Sequence, residues 1–159
     1  MRYCIIIRGP AGVGKTTIAK QLALSLGAEY FSFDQVMEDN KLDTIVGDGI
    51  PAENFMRAND LIIPLVMQKG KAVLDGCFYR KEQLDHLLHN LKIKTSIFTL
   101  DAGVEDCVKR NIMRNGAMTE EDIKQVHVLV SKLKVGTFIE TKGKSVSEVL
   151  SEIRIHLNL

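Results

Sequence analysis

The hydrophobic pattern along the chain alternates between short apolar runs and segments of helical period. Residues 2–8 are apolar except at their ends and rich in isoleucine, the signature of a strand buried on both faces. Residues 14–26 place Ile18, Leu22 and Leu26 on one helical face and close at Gly27. A short strand over 29–33 follows, then a short helix within 34–50 that gives way to a loop at Gly47-Asp48-Gly49. Pro51 suits the first turn of a long helix to about Lys69, which Pro64 is expected to kink or break and Gly70 to end. Beyond it the pattern predicts strands at 71–74, 93–100 and 137–141. Helices are predicted at 81–91, 104–114, 119–134 and 145–157, with a loop at 115–117. Glu121 and Asp122 in a first turn complement the helix dipole. Strands separated by helices imply an α/β fold with a parallel sheet covered on both faces.

Composition narrows the class. The chain has 159 residues, 45% hydrophobic and 26% charged, which fits one globular domain over 1–159 and excludes a disordered chain or a fibre. The apolar run Leu61–Met67 contains a proline and Tyr3–Ile7 is short, so neither a membrane span nor a secretory signal is expected. Net charge is +1 and both halves are balanced, so charge alone gives no nucleic-acid surface. Cys4, Cys77 and Cys107 lie far apart and without CxxC spacing, as expected of reduced core thiols in a cytoplasmic protein.

Gly9-Pro10-Ala11-Gly12-Val13-Gly14-Lys15-Thr16 matches GxxxxGK[ST] in full. A buried strand runs into it and an amphipathic helix runs out, which is the context the motif requires. The glycines let successive N–H groups point inward at phosphate oxygens, and the helix adds its positive end. Lys15 supplies a cation for the outer phosphates, the Thr16 hydroxyl suits Mg²⁺, and Thr17 is grouped with the loop as a nucleotide contact.

Ligands of such a sheet sit at the carboxyl ends of its strands. Asp34 ends the second strand and Asp75 the third, so both arrive beside the phosphate loop. Asp75 is assigned to the metal, with a turn before Gly76 as the plainer alternative. Asp34 is a candidate general base for transfer to an alcohol, whose proton must be removed; it also suits the N-cap of the following helix. Arg110 and Arg114, four apart on one helical face, are placed to spread charge over the transferred group, or else form a solvated stripe. His86 and His89 are read as surface residues rather than metal ligands.

At these residues the chain resembles the adenylate-kinase-like branch of P-loop kinases: nucleoside monophosphate, shikimate and gluconate kinases, chloramphenicol phosphotransferase and polynucleotide 5′-hydroxyl kinases. Val73-Leu74-Asp75-Gly76 with Gln83 and Leu84 is similar to the LDGFPR segment of adenylate kinases. Leu100-Asp101 with Arg110 and Arg114 resembles the branch's strand and lid arginines. Ile139–Ser145, including Gly143 and Lys144, resembles the turn that cradles the adenine. The resemblance implies ATP as donor, a lid around 114–120 and a five-stranded sheet in order 2-3-1-4-5. Met37 and Tyr79 stand where monophosphate kinases carry arginines that grip the acceptor phosphate, with Arg80 one residue late. The single aspartate at Asp34 is most similar to the phosphotransferase and polynucleotide-kinase group.

Between Asp34 and Glu53 six acids face one lysine, Lys41. This segment, about 34–60, is expected to form the acceptor side, where its charge disfavours a polynucleotide, although the acids also suit a plain solvated surface. The expectation is a Mg²⁺- and ATP-dependent kinase of a small-molecule hydroxyl. A nucleoside monophosphate kinase and an ATPase switch are the alternatives.

Overall fold

The computed structural model describes every residue of the chain except Ala117. Five strands, β1 (Tyr3–Arg8), β2 (Glu29–Ser32), β3 (Lys71–Gly76), β4 (Lys94–Asp101) and β5 (Thr137–Glu140), form one sheet in the order β2-β3-β1-β4-β5. All four strand pairings are parallel, with Tyr3 beside Lys71 on one flank of β1 and beside Lys94 on the other. This is the order the sequence resemblance implies.

The strand alternation in β1 divides the interior into two cores. Ile5 and Ile7 face α1 (Lys15–Leu26), α5 (Val104–Met113) and α7 (Val146–Leu157), packing with Leu22, Cys107 and Ile153. Cys4 and Ile6 face α2 (Phe33–Asp39), α3 (Ala52–Lys69) and α4 (Lys81–Asn90), packing with Met37, Ile62 and Leu87. Gly14 and Gly27, both in the left-handed region at φ 102° and 59°, bracket α1, and the Gly27 N–H returns to the Ala23 and Leu24 carbonyls. The sixth helix, α6 (Glu120–Lys132), opens with a reciprocal cap between Thr119 and Asp122.

Three expectations need correction. Pro64 does not break α3, which runs unbroken through it. The helix buries Phe55, Ala58, Ile62 and Val66. At about 1.5–3 kcal/mol for each large apolar side chain, that burial outweighs the roughly 3 kcal/mol an interior proline costs. Pro64 and Asp60, whose carbonyl the proline leaves without its helical donor, are both exposed. Secondly, β3 extends to Gly76, so Asp75 lies inside a strand opposite Ile7 and Ser32 and is no turn former. Thirdly, the N-cap of α2 is Ser32, whose Oγ accepts from the Gln35 N–H at 3.2 Å; Asp34 is the second residue of the helix, in its first turn, and is free of that duty.

Candidate nucleotide and acceptor site

The phosphate loop joins the end of β1 to the start of α1, and two cavities meet on it. The larger, about 520 Å³, lies on the α2 side. The smaller, about 290 Å³, lies toward α5 and α7. Gly12, Gly14 and Arg114 line both. Among the other loop residues, Ala11, Lys15 and Thr16 face the larger cavity, while Val13 and Thr17 face the smaller. Pro10 and Gly9 line neither. A Cβ on Gly9 would meet the Leu100 carbonyl at 2.7 Å, so that glycine serves the approach of β4. Gly12 serves the approach of α5, since a Cβ there would stand 2.5 Å from the Cys107 carbonyl.

Lys15 is almost wholly buried and donates from Nζ to the Pro10 carbonyl at 2.9 Å. The Asp34 carboxylate lines the same cavity. Water reaches it down the cavity, yet protein crowds it closely. That loss of hydration raises its pKa above the ordinary carboxylate value and the Asp75 charge raises it too, while Lys15 opposes both. Cys77 is half-buried at the same place, and burial pushes its thiol up, so it stays protonated at neutral pH.

Asp75 is buried and lines neither cavity directly. Its Oδ2 accepts the Tyr30 hydroxyl at 2.7 Å. Burial raises the Tyr30 phenol further, then the hydrogen bond to Asp75, while the Thr16 and Ser32 hydroxyls act in the opposite sense. The Thr16 hydroxyl and the Asp75 carboxylate thus both bear on the Tyr30 phenol. One hydroxyl and one carboxylate form a hard-oxygen donor pair that fits Mg²⁺ completed by phosphate oxygens and water. Among the described residues no cluster of three or more His, Cys, Asp or Glu is suited to a metal. His86 instead pairs with Asp60 at 3.4 Å and meets the Asn59 amide at 3.1 Å.

Arg110 lines the smaller cavity and donates from Nη1 to the Val13 carbonyl at 2.9 Å, tying α5 to the phosphate loop. Thr141, Lys144 and Ser145 close the far wall of that cavity. Gly143 is not in that wall, and the Lys144 ammonium is held by Glu152 at 2.6 Å. The expected lid falls on the connection between α5 and α6, of which Ala117 lies outside the described residues.

Sequence reasoning missed three contributors. Tyr30 is one; its signal was a hydroxyl on a strand that otherwise reads as buried. The α5–α6 wall of the larger cavity, with Asn111, Asp122 and Gln125, is another. The third is Arg8, fully buried at the end of β1 with no carboxylate partner. It donates to the Phe78 carbonyl at 3.0 Å, the Thr99 hydroxyl at 3.1 Å and the Val130 carbonyl at 2.9 Å. Burial lowers its pKa to about 10, which leaves it protonated at neutral pH.

A parallel sheet in this order, with a complete GxxxxGKT loop between β1 and α1, defines a P-loop nucleotide-binding domain. Residues 4–133 match the AAA domain family AAA_33, and the chain belongs to it. Shikimate kinase from Actinobacillus succinogenes is 39% identical over 89 residues, 52% of this chain and 50% of that protein. The chain thus spans about half the length of that curated relative. Among solved structures, a gluconokinase from Sinorhizobium meliloti 1021 shares the fold with a TM-score of 0.74 at 14% identity, over 99% of this chain and 95% of that one. Shikimate kinase from Acinetobacter baumannii, solved with shikimate, gives 0.67 at 18% identity, over 99% and 94%. No helix among the described residues is long and apolar enough to cross a membrane.

Proposed function

We propose that this protein is a cytoplasmic Mg²⁺- and ATP-dependent kinase that transfers the γ-phosphate to a hydroxyl of a small molecule. The observation that carries the reading is the pair of cavities meeting on one phosphate loop, with the Asp34 carboxylate in the larger beside Lys15. The smaller cavity suits the nucleoside, with Arg110 and Thr17 at its inner end and Thr141 and Lys144 at its outer wall. The loop amides and Lys15 bind the phosphates, the ammonium exchanging the Pro10 carbonyl for a phosphate oxygen. Thr16 and Asp75 would hold a magnesium ion, which would supply charge neutralisation at the phosphates.

Asp34 takes the hydroxyl proton as the acceptor oxygen bonds to the γ-phosphorus and the bridging P–O bond to ADP breaks. Arg110 and Arg114 offset the charge spread over the transferred group, and the 114–120 connection acts as the lid. A monophosphate acceptor is less well served. Arg57 lies outside the cavity lining, and Arg80 is engaged by Asp48 at 2.8 Å and by the Ile50 carbonyl at 3.0 Å.

The test is label transfer from γ-labelled ATP into a pool of small alcohols, nucleosides, nucleoside monophosphates and 5′-hydroxyl oligonucleotides. Label on a small alcohol is the expected result. Label on a monophosphate, or released only as free phosphate, overturns it in favour of a monophosphate kinase or an ATPase switch.

A further inference from the structure

The larger cavity is unusual in its charge. Its volume, about 520 Å³, is that of a site for a compact small molecule. Five carboxylates line it: Asp34, Glu38, Asp43, Asp48 and Asp122. Its lining cations among the described residues are Lys15 and Arg114, and both belong to the phosphate end. Asp48 is neutralised by Arg80. Glu38, Asp43 and Asp122 stand in no ion pair among the described residues. Beneath the acids the floor is apolar and aromatic. Phe33 and Phe55 pack with ring centres 6.4 Å apart, and Phe55 meets Tyr79 edge-on at 5.3 Å.

We infer, on the kinase reading above, that the acceptor is an amino alcohol: a hydroxyl on a compact apolar frame that also carries a protonated amine. A ring or hydrocarbon frame fits the aromatic floor, and aromatic walls beneath carboxylates favour a desolvated cation. An acceptor carrying a carboxylate or phosphate, once its hydroxyl is set beside Asp34, brings a further negative charge among Glu38, Asp43 and Asp122. Arg80, which pairs with the lining residue Asp48, is already occupied. The cavity supplies the site, and the acids choose its occupant.

Three matched probes separate the possibilities: 2-amino-1-phenylethanol, 1-phenyl-1,2-ethanediol and mandelate share a ring and a secondary hydroxyl and differ in charge. Their binding to the full chain, loaded with Mg²⁺ and a non-hydrolysable ATP analogue, is read by chemical-shift titration. The amine is expected to bind about tenfold tighter than mandelate at low salt, with the diol between, and the ratio shrinks as salt is added. In Glu38→Gln/Asp43→Asn, two exposed positions outside the phosphate machinery, the ratio falls toward unity while affinity for the analogue is unchanged. Mandelate binding as well as the amine overturns the inference. So does an unaltered ratio in the double variant, or no amine binding up to its solubility limit. Failure of the kinase reading gives a different result: the amine binds preferentially, yet γ-label from ATP appears only as free phosphate.

Discussion

On the proposed kinase reading, Asp34 is the residue on which the chemistry turns. Asp34→Asn keeps shape and hydrogen bonding but cannot take a proton. It is expected to lower kcat for transfer by about 10²–10⁴-fold, with ATP affinity unchanged in equilibrium dialysis. Wild-type turnover in that variant would remove Asp34 from the mechanism. The same group sets the acid limb of the pH profile. A base works only when deprotonated, and crowding by the protein raises the Asp34 pKa. Log kcat/KM is therefore expected to fall, on acidification, at a pH above the ordinary carboxylate value of about 3.9, and Asp34→Asn should abolish that limb.

The phosphate loop was legible in the sequence because it follows a strand end, where local pattern is strongest; Asp34 stood out because the apolar pattern runs the second strand up to it, whereas β2 ends at Ser32 and Asp34 lies in the first turn of α2. Arg8 was not legible, since an arginine ending an apolar strand reads as a surface charge. Its three acceptors lie 70, 91 and 122 residues away. Arg8→Lys retains the buried charge but cannot span all three. It leaves two acceptors orphaned, at about 1–3 kcal/mol each. The expected loss is about 2–6 kcal/mol in urea unfolding, with m unchanged.

Among the elements, α3 shows where pattern reading gives way to packing. A proline inside a helical window is a stop signal by local rules, and burial of Phe55, Ala58, Ile62 and Val66 overrides it. Because Pro64 is exposed and its side chain is not what holds the helix, Pro64→Ala restores a hydrogen bond and removes a clash without opening a cavity. It is expected to raise stability by about 1–3 kcal/mol, read as a higher unfolding midpoint; a lower one would mean that Pro64 packs usefully. The opposite lesson comes from α2. Ser32 rather than Asp34 caps it, because the strand ends one residue earlier than the apolar pattern suggests and the hydroxyl then meets the Gln35 N–H. Boundaries of this kind are settled by a single hydrogen bond, which periodicity does not encode.

For the molecule as a whole, topology was the most legible level. Alternating strands and helices dictate a parallel sheet, and the strand order followed from the resemblance at the loop and the strand ends. The larger cavity was only half legible. Its near wall is the 34–55 segment, but its far wall comes from α5 and α6, brought across the sheet by packing that no local pattern announces. Since the two cavities share the loop, a nucleotide bound there, as proposed, would tie α1 and α5 together. At 100 times its Kd, an ATP analogue with Mg²⁺ is expected to stabilise the fold by about 2.7 kcal/mol, a rise of roughly 5–10 °C in Tm. No rise would argue against a nucleotide site.

The bond between Asp48 and Arg80 gives the fold an evolutionary property. It keeps a guanidinium at the rim of the larger cavity but silent, its charge cancelled by an exposed loop residue. One base change at codon 48 replaces that carboxylate with a neutral side chain and unmasks the arginine, without touching the sheet, the phosphate loop or the base. On the proposed reading, that single step would offset part of the charge of Glu38, Asp43 and Asp122 and shift the cavity toward anionic acceptors. Substrate range can drift here while the catalytic apparatus stays fixed.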